Sequence, residues 1–167
     1  MTSTAHVSSE TSPDYAPNSI TLAERDILAQ ASAILFRQME RGQLMSDPEA
    51  AGQYCAMQLH GEEREVFGVL LLDYRHRAIA FDKLFFGGLT GSEVHPREVV
   101  KAALRHNAAA AIITHNHPSG EPEPSAADRA VTTRLKQALA LVDVRLLDHF
   151  VVAPGARPVS FAARGLL

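Results

Sequence analysis

The sequence predicts an α/β layered domain, and three features of it lead there. Segments whose apolar residues recur at helical spacing alternate along the chain with short strand-like runs. One of those runs, Val66-Phe67-Gly68-Val69-Leu70-Leu71-Leu72, is apolar on both faces, as a strand covered from both sides would be. The 167 residues are enough for one hydrophobic core and too few for two ordinary domains.

The elements follow in order. Residues 1–18 are rich in Ser, Thr and Pro, and their few large aliphatics cannot offset the entropy of ordering them, so a disordered tail is expected. Residues 19–44 hold one helix. Thr21 and Glu24 read as a capping box, Ile27, Leu28, Ala31, Ile34, Leu35 and Met39 follow at helical spacing, and Gly42 ends the run. A second helix begins at Asp47-Pro48, where proline suits a first turn, carries Ala51, Tyr54, Cys55 and Leu59, and closes at Gly61.

After the doubly apolar strand, Asp73-Tyr74-Arg75-His76 is a turn into a second strand near residues 77–86. Gly87-Gly88 and Gly91-Ser92 form a loop, and Pro96 opens a helix through Val99, Val100, Ala103 and Leu104. Ala108 to Thr114 is a short apolar strand. A helix from Ser125 to Leu141 puts Ala130, Val131, Leu135, Ala138 and Leu139 on one side. A strand near Val144 to Val152 and a short segment from Pro158 to Ala163 complete the chain.

Apolar residues make up 46% and charged residues 21%, which is the balance of a soluble protein that folds. A net charge of −3 gives no overall basic field and argues mildly against binding a polyanion. The single cysteine, Cys55, excludes an internal disulfide and any site built from several thiolates; it fits a reducing compartment and reads as a small buried hydrophobe. Met1 to His6 has neither a basic start nor an apolar core, and no apolar run approaches the roughly 18 residues of a membrane span, so a cytoplasmic protein is expected.

The chemistry concentrates after the Ala108–Thr114 strand. In an extended segment side chains repeat every two residues, so His115 and His117 face the same way while Asn116 faces the other. A turn rich in proline and glycine then brings Ser125 and Asp128, at the start of the next helix, back towards the strand end. Two imidazole nitrogens and one carboxylate oxygen would bind zinc and leave a fourth tetrahedral position open, the arrangement of a catalytic site. Ser125 and Asp128 are three apart and share a helical face, which sets the hydroxyl where it could donate to an oxyanion. Such hydrolysis also needs a proton acceptor. Glu62, Glu63 and Glu65 precede the buried strand, and spacing leaves Glu63 and Glu65 in competition because residues two apart share a face.

Each of these residues also has a plainer reading. Ser-x-x-Asp before an apolar helix is a capping box, which is compatible with a ligand role. Asn116 and Ser119 read as satisfying backbone groups in the turn, and Glu62, Glu63 and Arg64 as solvated charges. His95-Pro96-Arg97-Glu98 reads as a helix start, with a substrate-contact role left open by its place near a glycine loop, and Asp148 with His149 as an edge pair on the last strand without a functional role.

Glu65 followed by His115-x-His117, seven residues, Ser125, two residues and Asp128 resembles the motif of the JAMM/MPN zinc metallopeptidases. More narrowly, His115-Asn116-His117-Pro118-Ser119-Gly120 with Pro124-Ser125, and Glu93-Val94-His95-Pro96-Arg97-Glu98 upstream, are similar to the bacterial RadC proteins over residues 45–167. The resemblance implies an α/β/α sandwich around a mixed sheet, a JAMM/MPN fold related to cytidine deaminases. It implies His115, His117 and Asp128 as Zn2+ ligands, Ser125 as the residue that polarises the substrate, and Glu65 rather than Glu63 as general base. It also implies a peptide or protein substrate. RadC proteins carry a helix-hairpin-helix region ahead of this segment, and residues 1–44 offer one helix and no such hairpin. A short form is therefore expected.

The alternative implied by the RadC resemblance is a DNA-repair or DNA-associated accessory protein acting by binding. A base deaminase would need His-x-Glu with Pro-Cys-x-x-Cys, which one cysteine cannot supply, and the His-Glu-x-x-His of zincin proteases does not occur. Substrate choice would fall to the loops at Gly87–Val94 and Ser119–Pro124.

Overall fold

The chain runs through α1 (Leu22–Glu40), α2 (Pro48–Gln58), β1 (Val66–Leu72), β2 (Ala78–Phe86), α3 (Pro96–Arg105), β3 (Ala110–Asn116), α4 (Ala126–Ala140), β4 (Arg145–Val152) and β5 (Val159–Ser160). The computed structural model describes residues 21–40, 47–87 and 94–167. The expected tail over 1–18, the helix stop at Gly42 and residues 88–93 of the glycine loop lie outside the described residues.

The strands form one mixed sheet in the order β2-β1-β3-β4-β5. β1 is antiparallel to both β2 and β3, β3 is parallel to β4, and β4 is antiparallel to β5. The parallel pair requires a crossover, which α4 supplies. β1 and β3 are buried throughout, as a strand covered on both faces must be.

Helices cover both faces. On one, Phe67, Val69 and Leu71 of β1 and Ala111 and Ile113 of β3 pack with Val99 and Ala103 of α3 and Leu135 and Leu139 of α4. On the other, Leu70, Leu72, Ile112 and Phe150 pack with Ala51, Tyr54 and Cys55 of α2. The result is an α/β/α sandwich, and strand alternation decides which residues meet which layer.

Local chemistry sets the element ends. Asp47 caps α2 by accepting from the Glu49 N–H at 2.9 Å, with Pro48 in the first turn. Asp73 takes the N–H groups of Arg75 and Arg77 at 2.8 and 2.9 Å, which closes the β1–β2 turn and leaves His76 at a φ of 59°. His95 precedes α3 without a side-chain cap bond; its ring lies edge-on to Phe85. Thr21 and Glu24 form the expected reciprocal cap of α1.

On α1, Leu22, Ile27 and Ile34 are 81%, 64% and 48% exposed while Leu28 and Ala31 are half-buried, and the side chains of Leu35 and Met39 lie outside the described residues. α1 touches α2 and β2. The expected face of α4 needs one correction. The buried side of α4 is Asp128, Thr132, Leu135 and Leu139 with Val131 half-buried against the core, so Ala130 is exposed and Thr132 is buried in its place.

Candidate metal centre

β3 delivers both histidines. His115 is its penultimate residue, and His117 follows the strand end but still donates its main-chain N–H to the Val152 carbonyl at 2.8 Å, which carries the pleat one step past Asn116. The two rings therefore share the face covered by α3 and α4. The chain then turns at Gly120, whose φ of 84° suits glycine, and passes Pro122 and Pro124 to Ser125, the N-cap of α4.

Ser125 and Asp128 form a full capping box. The Ser125 Oγ accepts from the Asp128 N–H at 3.1 Å, and Asp128 Oδ2 accepts from the Ser125 N–H at 2.7 Å and from its hydroxyl at 2.6 Å. Oδ2 thus belongs to the helix start, while Oδ1 lies 3.2 Å from His115 Nε2. The His117 Nε2 stands 2.9 Å from His115 Nε2 and 3.7 Å from Asp128 Oδ2. One donor atom from each of the three residues fits within a span of 4.8 Å. Tetrahedral zinc with nitrogen ligands at 2.0–2.1 Å would hold neighbouring ligand atoms ~3.3 Å apart, and the observed spacings bracket that value.

The tautomer of His117 is fixed by its partner. Its Nδ1 lies 2.7 Å from the Glu121 carbonyl, which can only accept, so Nδ1 carries the proton and Nε2 presents a lone pair to the cluster. Burial pushes the Asp128 carboxyl up, but contacts with His115 and the two Ser125 donors outweigh it, and the group is held well below the usual carboxylate range. It is an anion facing two imidazoles.

Beneath the cluster lies a residue the sequence reading set aside. His149 is not on an edge strand, because β4 runs between β3 and β5, and it meets Asp148 through its main-chain N–H, at 2.7 Å, rather than through its ring. Its ring is fully buried, with Nε2 2.8 Å from His115 Nδ1 and Nδ1 2.6 Å from Thr132 Oγ1. Phe161 stacks on it at 4.5 Å, and Phe67 meets it edge-on. Burial first, and the His115 ring against it second, push it well below the usual histidine range, so the ring is neutral. Asp148 faces the other way and accepts from the Ser160 hydroxyl and the Ala162 N–H, tying the last segment to β4. No spacing in the sequence marks His149 or Thr132, since only β3–β4 pairing and the α4 crossover bring them under His115.

Glu65 sits one residue before β1, half-buried, with its main-chain carbonyl accepting from the Gly87 N–H at 2.7 Å. Phe67 pairs with His115 across β1 and β3, and the alternation of an extended chain puts Glu65 on the same face as Phe67. Glu63 lies in a bend outside that pleat, and Glu62 is drawn into an ion pair with Lys83 at 2.6 Å. Asn116, facing away from the histidines, accepts from the Val66 N–H at 2.7 Å and donates to the Arg64 carbonyl at 3.0 Å. It satisfies backbone as expected, though at the approach to β1 rather than in the turn.

A family profile described as "RadC-like JAB domain" matches residues 45–166. Among similar proteins are a UPF0758 protein of Xanthomonas axonopodis pv. citri, 61% identical over 133 residues covering 80% of this chain and 59% of that one. Another, from Xanthomonas campestris pv. campestris, is 59% identical over 138 residues, 83% and 61% of the two chains. A third, from Stenotrophomonas maltophilia, is 57% identical over 141 residues, 84% and 60%. The matched region spans about three fifths of the length of these relatives. The mixed five-stranded sheet between helical layers, the clustered His115, His117 and Asp128, and the match over residues 45–166 agree, and the chain belongs to the RadC-like JAB domain family, with a JAMM/MPN fold.

Proposed function

We propose that the chain is a zinc-dependent hydrolase of the JAMM type that cleaves a peptide or isopeptide bond. The observation that carries this reading is the convergence of His115 Nε2, His117 Nε2 and an Asp128 oxygen within 4.8 Å, with His117 Nδ1 and Asp128 Oδ2 already committed to protein partners. Two neutral nitrogens and one anionic oxygen form a donor set suited to Zn2+, with a position left for water. Bound zinc would supply Lewis acidity towards a carbonyl and lower the pKa of water at the site.

The protein's own residues do the rest. Glu65 takes the proton from the attacking water and returns it to the leaving amine. Among the described residues its carboxylate has no hydrogen-bond or ion-pair partner that would compete for this. Ser125 donates its hydroxyl proton to the oxyanion that forms on the substrate carbonyl, which requires it to turn from Asp128 Oδ2 while keeping its cap to the Asp128 N–H. The Ser119–Pro124 loop, whose Glu121 carbonyl accepts from His117, contacts the substrate chain.

A role exercised through DNA binding has less support. A net charge of −3 gives no overall basic field for phosphates, and Arg77, Lys83, Lys101, Arg105 and Arg164 are each paired with a carboxylate. Among the described residues no helix is long and apolar enough to cross a membrane.

The test compares wild type with Glu65→Gln on an unbiased peptide library. Both should bind about one zinc per chain, and cleavage should fall by about 10²- to 10⁴-fold in the variant. Absence of zinc binding by wild type would overturn the reading, as would cleavage that survives the substitution. Salt-dependent retardation of DNA by a chain that cleaves nothing would favour the binding role instead.

A further inference from the structure

Thr132 fixes the direction of a buried hydrogen-bond chain beneath the histidines. Its Oγ1 lies 2.5 Å from the Asp128 main-chain oxygen and 2.6 Å from His149 Nδ1. A carbonyl can only accept, so the single hydroxyl proton goes to Asp128. The Thr132 oxygen must then accept, and His149 Nδ1 carries the proton. A neutral imidazole has one ring proton, so His149 Nε2 is an acceptor, and the group 2.8 Å from it, His115 Nδ1, is the donor. This leaves His115 Nε2 as a lone pair directed at His117 Nε2 and Asp128 Oδ1, 2.9 and 3.2 Å away.

The surroundings hold the arrangement in place. Thr132, His149 and His115 are all buried, and the His149 ring is held between Phe161 and Phe67. Water has no access to offer either ring a different partner. The chain also closes on itself, because it starts at His115 on β3 and ends at the main chain of Asp128 on α4.

We propose that His149 and Thr132 are positioning residues of the metal centre: together they hold His115 in the Nδ1–H tautomer and link its tilt to the placement of Asp128. This rests on the reading that His115, His117 and Asp128 bind zinc. A ligand imidazole whose second nitrogen donates to a fixed acceptor is oriented before the metal arrives, and loss of such a partner typically weakens metal binding by about 10- to 100-fold. The usual acceptor is a carboxylate or carbonyl. Here it is a second histidine, which accepts only because Thr132 occupies its other nitrogen.

Thr132→Val preserves shape and removes the hydroxyl, Thr132→Ser restores it, and His149→Gln keeps one acceptor and one donor at the ring position. Zinc affinity is read by competition with a chromophoric chelator, and the His115 tautomer by ¹⁵N chemical shifts of the ring nitrogens in the full chain. Wild type and Thr132→Ser should show His115 with its proton on Nδ1. Thr132→Val should show a mixture of tautomers at His115 and His149 and bind zinc about 10- to 100-fold more weakly, with His149→Gln closer to wild type. Wild-type affinity together with an unchanged His115 spectrum in folded Thr132→Val overturns the positioning role alone. Wild type without zinc affinity overturns the metal centre, and the positioning role with it.

Discussion

Asn116 and Val66 are joined by a 2.7 Å bond from the Val66 N–H to the Asn116 side-chain oxygen, while the amide of the same residue donates to the Arg64 carbonyl at 3.0 Å. The residue between the two histidines thus grips the backbone on both sides of Glu65. Asn116→Ala leaves a buried N–H and a carbonyl without these partners and is expected to lower stability by about 1–3 kcal/mol in urea unfolding. Asn116→Asp does not rescue it, because the carboxylate keeps the acceptor for Val66 but faces the Arg64 carbonyl with no proton to give. Under the proposed mechanism both variants retain zinc and lose turnover.

The helix start at Ser125 separates structural from chemical loss. Ser125→Ala removes the cap on the Asp128 N–H and should cost about 0.5–2 kcal/mol, measured by thermal unfolding of the metal-free chain. Ser125→Thr retains the cap and the hydroxyl and should recover most of that loss. Ser125→Gly keeps most of the N-cap stability without a hydroxyl, and activity that survives in it would argue against a separate role for the hydroxyl.

Cys55 is fully enclosed between α2 and the sheet, and burial pushes its thiol well up from the ordinary range, with Asp148 adding to the effect. Tyr54 beside it is raised too, again chiefly by burial. Both native groups stay protonated where the unfolded chain ionises, from about pH 8.5 for cysteine and about 10 for tyrosine. The unfolded state then binds fewer protons than the native one, so stability is full below those values and falls as pH rises above them. Urea midpoints at pH 7.5 and 10 should show this decline. A thiol reagent should label Cys55 only as fast as the protein opens.

Gly68 is required by a close approach. A Cβ at that position would lie 2.6 Å from the Phe81 Cζ on the neighbouring strand, and Phe81 is itself packed edge-on against Tyr54. Gly68→Ala is expected to destabilise the protein by about 1–3 kcal/mol through overpacking. Adding Phe81→Leu should relieve part of that penalty, and a double-mutant cycle in urea would measure the coupling.

The site was legible in the sequence as far as it is local. His115 and His117 follow from a period of two, and Ser125 with Asp128 from a helix start one turn away, so spacing alone gathers them. The strand from Val66 to Leu72 was equally plain, because a run apolar on both faces has few other uses. His149 and Thr132 were not legible, since a buried polar pair leaves a gap in an apolar pattern that looks the same as a solvent face. The same blindness put Ala130 on the inner face of α4, where the chain buries Thr132 instead. On α1 the apolar spacing gives the helix, and Ile27 and Ile34 stay exposed on it.

Under the proposed zinc reading, the capping box divides one carboxylate between two tasks, and the division decouples folding from metal loading. Oδ2 of Asp128 starts α4 whether or not an ion is present, and hydrogen bonds from protein groups alone hold the rings of His115 and His117. In small zinc domains the ion is the core, and a chelator unfolds them. Here the ion would be a guest in a finished frame, free to exchange, to be stripped and replaced, or to be supplied late in the life of the chain without any refolding.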